Sequence, residues 1–268
     1  RALAAANGAT TFMVLLAAVK GFLYRYTSQS DIVIGSSIAS RQHSNIENQI
    51  GFYVNTLALR TRFNGENSFT ELLKAVKQVT LDAYEHQAYP FDELINDLQL
   101  QRDLSRHPLF DVMVVLKNMV SMVAADSQET APSHTLGDLT VTDYDGEARV
   151  LSKFDLTFFF NDAGEGLSLR MVYNTDLFSA ATMARLANHL KQFTTAAVQN
   201  PAIPIHQVDY LDAGEKEKLL VDFNNEDAAY PSGQTVIDLF EQQVEKNPGN
   251  TAVVFHDRQL TYHQLHML

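Results

Sequence analysis

The chain contains no cysteine among its 268 residues. Disulfides, thiolate metal sites and a cysteine nucleophile are therefore excluded. No apolar run is long enough to span a bilayer, and no signal peptide is visible. Because nothing in the sequence indicates export, we expect a cytoplasmic location.

Basic residues are also scarce. The chain has 20 Lys and Arg residues against 32 Asp and Glu residues, which gives a formal net charge of −12. Nucleic acids and anionic membranes both require a basic face, so we expect neither as a partner. A glycine-rich phosphate-binding loop is missing too, and we expect no cofactor bound by this segment.

The stretch Asp31–Arg60 contains two apolar segments that flank a polar loop. Three consecutive β-branched residues predict a strand over Asp31–Ala39 that is buried on both faces. Alternation of apolar and polar residues predicts a second strand over Ile50–Arg60. A polar loop held between two buried strands is a good place for a functional site.

Other elements follow from periodicity and capping signals. The apolar face over Ala9–Tyr26 predicts a helix. Ser68 and Glu71 form a capping box that opens a helix running to about His86. The spacing predicts further helices over Phe91–Leu98, Ser179–Asn200, Asp212–Phe223 and Thr235–Lys246. It predicts strands over Leu109–Leu116, Leu139–Tyr144, Lys153–Asn161 and Leu167–Asn174, the last two joined by a turn at Asp162–Gly164. We expect a mobile loop over Ser121–Gly137.

The pattern changes after Asn200, where prolines become frequent and long apolar runs stop. This predicts two folding units, 1–200 and 235–268, joined by a linker over 201–234 that packs on a surface. The chain starts within the last turns of a helix and stops mid-pattern at Leu268. We therefore expect it to be part of a longer protein.

Three motifs, in order, resemble those of the condensation domains of non-ribosomal peptide synthetases. Ile50–Thr56, ending at Arg60, resembles IGxFVNTxxxR, and the preceding IGSSIASR resembles IGxPxAGR with Ser37 and Ser40 in place of proline and glycine. His86–Phe91 resembles HQDYPFE, and Arg102–Phe110 resembles RDxSRNPLF.

Two later segments extend the resemblance. Lys153–Leu190 is similar to the last strands and helix of a condensation domain, which have the pattern KFDLT…YNTDLF…RLxxH. Leu260–Leu265 resembles LTYxEL, the first core motif of adenylation domains, with Gln264 in place of glutamate.

The resemblance implies an α/β fold. Residues 1–200 would form the C-terminal lobe of a condensation domain, a chloramphenicol acetyltransferase-like lobe with a mixed sheet and flanking helices. Residues 201–234 would form the linker, and residues 235–268 a short α/β start of an adenylation domain.

The implied reaction joins a carrier-bound donor acyl or peptidyl thioester to the amine of a carrier-bound acceptor aminoacyl group. The implied partners are the N-terminal lobe of the condensation domain, the adenylation domain, and upstream and downstream peptidyl carrier proteins with phosphopantetheine arms. ATP and Mg would serve only the adenylation domain beyond this chain. The LGGxS carrier motif is absent, so this segment should not carry phosphopantetheine itself.

The family's HHxxxDG motif is absent from this chain. His107 to Asp111 and His134 to Asp138 have the H-x-x-x-D spacing, but both lack the doubled histidine and the final Asp-Gly. Such short spacings recur by accident, and we interpret both as decoys. We therefore assign no catalytic residue here and expect the isolated chain to be inactive.

Asn55 is the leading candidate for a site role. Asparagine is disfavoured in an apolar strand, and a buried amide must find partners. The resemblance places this strand at the substrate tunnel, where the amide could orient an acceptor or a thioester carbonyl; the alternative is a structural hydrogen bond to the facing loop. Tyr53 is assigned to the tunnel as well, and Arg41 either lines it or pairs with a loop carboxylate.

Asp111 and Asp155 lie within predicted apolar strands. Buried carboxylates require donors or a cation, and Arg106 is a possible partner for either. We expect structural roles for all three. His263 and His266 have a spacing that suits metal ligands, but no third ligand is nearby, so we expect no metal site.

Two other functions remain open. The chain could be a non-catalytic docking or scaffold piece, since the histidine motif is missing. It could also belong to another acyltransferase of the same fold, such as a carnitine- or plant-type enzyme. The VNT motif and the adenylation-like tail argue against this second alternative.

Overall fold

The computed structural model describes residues 1–41, 44–47, 49–100, 106–117, 134–136, 139–141, 151–162, 166–225 and 233–268. These residues form two compact units, Arg1–Asp212 and Ala213–Leu268. The division lies inside the stretch predicted as a linker. The boundaries of that linker remain a prediction.

The first unit is built on a five-stranded mixed sheet with the order β2-β1-β3-β6-β7. The three inner strands are parallel, and each outer strand pairs antiparallel with its neighbour. This confirms the mixed sheet that the family resemblance implies. Its strands are β1 (Asp31–Ala39), β2 (Val54–Arg62), β3 (Val112–Lys117), β6 (Leu156–Asp162) and β7 (Leu167–Tyr173), and a separate hairpin comprises β4 (His134–Leu136) and β5 (Leu139–Val141).

Six helices accompany these strands in the described part of the first unit. The N-cap hydroxyl of Ser68 accepts from the amide of Glu71, whose carboxylate accepts from the Ser68 amide, which confirms the predicted capping box. The helices are α1 (Ala2–Ala6), α2 (Thr11–Thr27), α3 (Ser44–Glu47), α4 (Phe69–Glu85), α5 (Phe91–Asp97) and α6 (Ala180–Gln199).

The hydrophobic core lies where α2, α4 and α6 pack against one face of the sheet. Successive residues of a strand point to opposite faces, so alternate residues of β1, β2 and β6 enter this core. The fully buried members include Leu16, Val19, Phe22, Ile34, Leu59, Phe69, Leu72, Leu73, Val76, Val114, Phe158 and Phe193.

One charged side chain lies inside this apolar core. Lys20 of α2 is fully buried, and its Nζ donates to the carbonyl oxygens of Ile32 at 2.8 Å and Leu59 at 2.7 Å. These two carbonyls belong to β1 and β2. The lysine therefore connects the central helix to both strands at this edge of the sheet.

The opposite face of β1 carries an aromatic ring in place of a helix. Gly35 follows the core residue Ile34, so it faces the other way. The ring of Phe110 lies over Gly35: a Cβ at this position would be 2.1 Å from the Phe110 Cε2 atom. Only the missing side chain allows this approach.

The segment after α6 packs against the start of α4. The amides of Phe69 and Thr70 donate to the carbonyls of Ile203 and Pro201 at 3.3 and 2.9 Å. Ile205 and Val208 are fully buried in the same core. Residues 201–212 are therefore structurally part of the first unit.

Several predicted bounds of elements differ from the structure. The second strand begins at Val54 and not at Ile50, because β1 offers its last partner at Ala39, which is paired with Val54. His134–Leu136 forms a strand, although it was predicted as the end of a loop. Three predicted segments lie outside the described residues. They are the rest of that loop to residue 133, residues 102–105 of the third motif, and residues 163–164 of the predicted turn.

The second unit contains a small hairpin and three α-helices in its described residues. The helix predicted from Thr235 is confirmed, and it begins with a capping box formed by Thr235 and Asp238. The ring of Phe240 lies 6.1 Å from the rings of both Tyr262 and His266. The elements are α7 (Ala213–Leu220), α8 (Val236–Lys246), β8 (Thr251–Phe255), β9 (Arg258–Thr261) and α9 (Tyr262–His266).

Two classes of feature are missing from the described part of the chain. It contains no group of three or more histidine, aspartate or glutamate side chains suited to hold a metal ion. It also contains no helix that is both long and apolar enough to cross a membrane.

The first prediction concerns the buried amine of Lys20. Burial lowers the pKa of Lys20 from 10.5 to about 7, although the charge of Asp31 partly opposes the shift. Between these two values the unfolded chain binds more protons than the folded chain, so the free energy of unfolding rises with pH. The rise is at most about 1.4 kcal/mol per pH unit.

Urea unfolding of wild type and Lys20→Met at pH 7, 8 and 9 measures this contribution. We expect the variant to lose the rise, and Lys74→Met, which changes an exposed lysine of α4, to keep it. An unchanged pH dependence in Lys20→Met would contradict the assignment.

The second prediction concerns the close approach at Gly35. Gly35→Ala should lower the free energy of unfolding by about 1–3 kcal/mol, because the added methyl group overlaps the Phe110 ring. Gly166→Ala is the control, since nothing lies within 4 Å of a Cβ at that position. Equal stability of the two variants in thermal or urea unfolding would show that Phe110 moves away without cost.

Candidate functional site

The loop between β1 and β2 is organised by Arg41. Its guanidinium lies over the ring of Tyr53, with 4.3 Å between the Cζ atom and the ring centroid. The same group donates to the carbonyl oxygens of Ile46 and, at 2.8 Å, Gln49. The Tyr53 hydroxyl donates to Gln49 Oε1 at 2.9 Å. A cation–π contact and these hydrogen bonds therefore close the loop onto itself.

This closure explains why the chain leaves the extended path before Val54. Tyr53 turns towards Arg41, and the neighbouring side chains of Ile50 and Phe52 remain almost fully exposed. Val54, at the start of β2, is also exposed. We name Ile50, Phe52 and Val54 the apolar ridge. The alternation that predicted a longer strand is real, but its apolar side faces outward.

Asn55 follows the ridge and uses its amide on the turn that precedes α5. Its Nδ2 donates to the carbonyl oxygens of Gln87 at 2.9 Å and Tyr89 at 2.8 Å. Its Oδ1 accepts from the amides of Thr56 at 2.9 Å and Phe91 at 3.2 Å. The amide has two N–H donors and one oxygen with two lone pairs, so all four positions are occupied.

The three residues assigned to the tunnel thus lie at one end of β2. Arg41 and Tyr53 hold the loop that enters the strand, and Asn55 holds the turn Gln87–Phe91 beside it. The contact of Asn55 is the hydrogen bond to a facing loop that the sequence offers as one alternative. Its part in a substrate tunnel stays a hypothesis.

The turn leads into an aromatic cluster that includes the decoy histidine His107. Its ring lies 5.5 Å from the ring of Phe91, 4.3 Å from that of Phe110 and 4.9 Å from that of Phe154. Desolvation lowers the pKa of His107 despite the nearby charge of Asp111, so the neutral form dominates at neutral pH. Its packing between rings suits a structural role.

Arg106 forms an ion pair with Asp111. Asp111 and Asp155 directly precede β3 and β6, although the sequence predicted both inside strands. The Asp111 carbonyl accepts from the amide of Leu156 at 3.3 Å, and the Asp155 carbonyl accepts from the amide of Asn174 at 3.0 Å. Both aspartates therefore lie where adjacent strands are joined.

The sequence analysis missed the partner of Arg60, the last residue of the IGxFVNTxxxR motif. Arg60 donates to both carboxylate oxygens of Asp31 at 2.8 and 2.6 Å, and Arg62 donates to the same carboxylate at 2.9 Å. These bonds hold the pKa of Asp31 well below its usual range. They fasten the far end of β2 to the first residue of β1.

Comparison with known proteins identifies the family. Residues 1–220 match the family model described as Condensation domain. The chain is 44% identical over 259 residues to gramicidin S synthase 2 of Brevibacillus brevis, an alignment that covers 97% of this chain and 6% of that protein.

Solved structures agree on the fold. A four-domain nonribosomal peptide synthetase bound to AMP and glycine aligns with 98% of this chain and 20% of its own, at 20% identity and a TM-score of 0.77. The first condensation domain of the CDA synthetase aligns with 78% of this chain and 44% of its own, at 18% identity and a TM-score of 0.61.

The family match covers most of the chain, and the sheet with its flanking helices is the mixed α/β fold of these structures. The chain spans only a small part of its curated relatives. Within those bounds, it belongs to the condensation-domain family of non-ribosomal peptide synthetases.

Proposed function

We propose that the chain supplies the C-terminal lobe of a condensation domain in a non-ribosomal peptide synthetase. The observation that carries this proposal is the family match over residues 1–220. In the complete domain, the amine of a carrier-bound acceptor attacks the carbonyl carbon of a carrier-bound donor thioester. The amide bond forms, the carbon–sulfur bond breaks, and the donor carrier regains a free thiol after net transfer of one proton from the amine.

The domain boundaries are part of this proposal. An isolated condensation domain aligns with 78% of the chain, whereas a four-domain synthetase aligns with 98%. The difference of 20% is close to the share of the second unit, Ala213–Leu268, in the chain. This supports residues 235–268 as the start of an adenylation domain and residues 213–234 as the linker, because the remaining predicted linker residues, 201–212, pack in the first unit.

The apolar ridge and its neighbours are the proposed tunnel wall of this lobe. Arg41, Tyr53 and Asn55 gather at the start of β2, where the exposed ridge provides a contact surface. The proposed partners are the N-terminal lobe, the adenylation domain, and upstream and downstream carrier proteins with phosphopantetheine arms. ATP and Mg would serve the adenylation reaction only.

We predict that the isolated chain makes no peptide bond, because it lacks HHxxxDG. The test incubates it with loaded donor and acceptor carrier proteins and follows the acceptor-bound product by mass spectrometry. The control is the same assay with the synthetase module that contains this chain and a complete condensation domain, which should form the product.

Each arm of this assay can overturn one statement. A rate for the isolated chain like that of the module would refute the need for an HHxxxDG motif. A module with loaded carriers and no product would refute the proposed reaction. Carrier binding without product by that module would favour the docking alternative.

We also predict that limited proteolysis first separates the two units. Residues 201–212 are held by buried Ile205 and Val208, so the first cuts should fall after Asp212 and before Thr235. Intact-mass analysis of the early fragments locates the cuts. First cuts within 31–60 or 201–212 would contradict the boundary.

A further inference from the structure

The amide of Asn55 has no free position for a ligand. Its two N–H groups bind the carbonyls of Gln87 and Tyr89, and its oxygen accepts from the amides of Thr56 and Phe91. A substrate that bound this amide would have to break one of these bonds and leave a backbone group unpaired. Any effect of Asn55 on a reaction therefore reaches the substrate through the turn.

The turn carries one large side chain that is available to a ligand. Tyr89 is 47% exposed, and its hydroxyl donates to the carboxylate of Asp97 in α5. That bond raises the pKa of Tyr89, so the hydroxyl keeps its proton at neutral pH. The backbone of Tyr89 is held by Asn55 and its hydroxyl by Asp97. The ring is thus fixed at both ends while part of it stays exposed.

A ring held in this way is preorganised for contact. Ligand binding at a mobile tyrosine must restrict its rotamers, and this cost falls when the side chain is fixed beforehand. The phosphopantetheine arm of an aminoacyl thioester has methylene and amide groups that pack against an aromatic face. The exposed apolar ridge ends at Val54, one residue before Asn55, so the ridge and the turn that carries Tyr89 lie at the same end of β2.

We propose that Asn55 is a positioning residue, which holds the turn Gln87–Phe91 so that the ring of Tyr89 packs against the carrier-bound thioester arm. The proposal rests on the proposed function. Asn55 does not touch the substrate, and Tyr89 does. The amide of Phe91 donates to Asn55 and its ring stacks on His107, so the same turn connects the edge strand to the aromatic cluster.

The test measures peptide formation by the synthetase module with a complete condensation domain and loaded carriers. Asn55→Ala should lower the rate per folded molecule about tenfold, the effect of about 1.4 kcal/mol. Asn55→Asp should lower it as much, because a carboxylate keeps the acceptor oxygens but offers no N–H to Gln87 and Tyr89. A wild-type rate per folded molecule in both variants, with only a lower melting temperature, would overturn the proposal.

A double-mutant cycle separates the indirect role from direct contact. Tyr89→Ala should lower the rate about tenfold, and Asn55→Ala added to it should cost no more than about twofold further, since both changes remove the same contact. Independent contributions would multiply to about a hundredfold loss. That result would assign Asn55 its own contact with the substrate and overturn the proposal.

If changes at Asn55 impair folding, a variant of the exposed residue Asp97 still tests the role of the Tyr89 ring. Asp97→Asn replaces an exposed carboxylate and weakens the bond that holds the Tyr89 hydroxyl. It should lower the rate about threefold in wild type and have no effect in a Tyr89→Phe background. An equal loss in both backgrounds would refute the role of the ring.

Failure of this proposal is distinguishable from failure of the proposed function. A wild-type module that forms no peptide refutes the function, and the positioning role with it. A wild-type module that forms peptide while Tyr89→Ala retains full activity refutes the positioning role alone.

Discussion

The buried amine of Lys20 is the interaction on which the edge of the sheet depends. Among the described residues, strand β2 has one strand neighbour, β1, so its position relies on contacts from outside the sheet. Lys20 supplies the central one, because it binds a carbonyl of each strand from the middle of α2. A neutral amine has two N–H groups, which matches two carbonyls without a remaining charge to solvate. The pKa of about 7 makes this neutral form the dominant one above neutral pH.

The remaining attachments of β2 lie towards its two ends. Asn55 binds the turn before α5 at the first end, and Arg60 and Arg62 bind Asp31 at the other. All of these are long-range contacts, and those of Asn55 and Arg60 involve the motif IGxFVNTxxxR. The motif thus has a structural explanation for its polar residues: they fix an edge strand whose outward side carries the apolar ridge. Asn55, beside the proposed tunnel wall, thus binds the protein itself with its whole amide group.

Local signals in the sequence predict much of this fold and little of its site. The strand β1 and the helix α4 are confirmed because β-branched runs and capping boxes act within a few residues. Lys20 could not be predicted, since its two acceptors come from strands that become neighbours only in the folded chain. The start of β2 was misplaced for a related reason: alternation continues to Ile50, but Arg41 and Tyr53 draw the loop away. The four hydrogen-bond partners of Asn55 could not be predicted either, although its unusual place in an apolar strand indicated a special role.

The strand order has a consequence for synthesis of the chain on the ribosome. The pairs β1–β2 and β6–β7 are formed by strands that follow each other in the sequence. Strand β3 pairs with β1 on one side and with β6 on the other, and β6 is synthesised much later than β3. Until β6 emerges, β3 presents an open apolar edge, and such edges associate with other chains. Non-local pairing also slows folding. The middle of the sheet is therefore the part of the nascent chain that is most exposed to misassembly, more so than the edge held by Lys20.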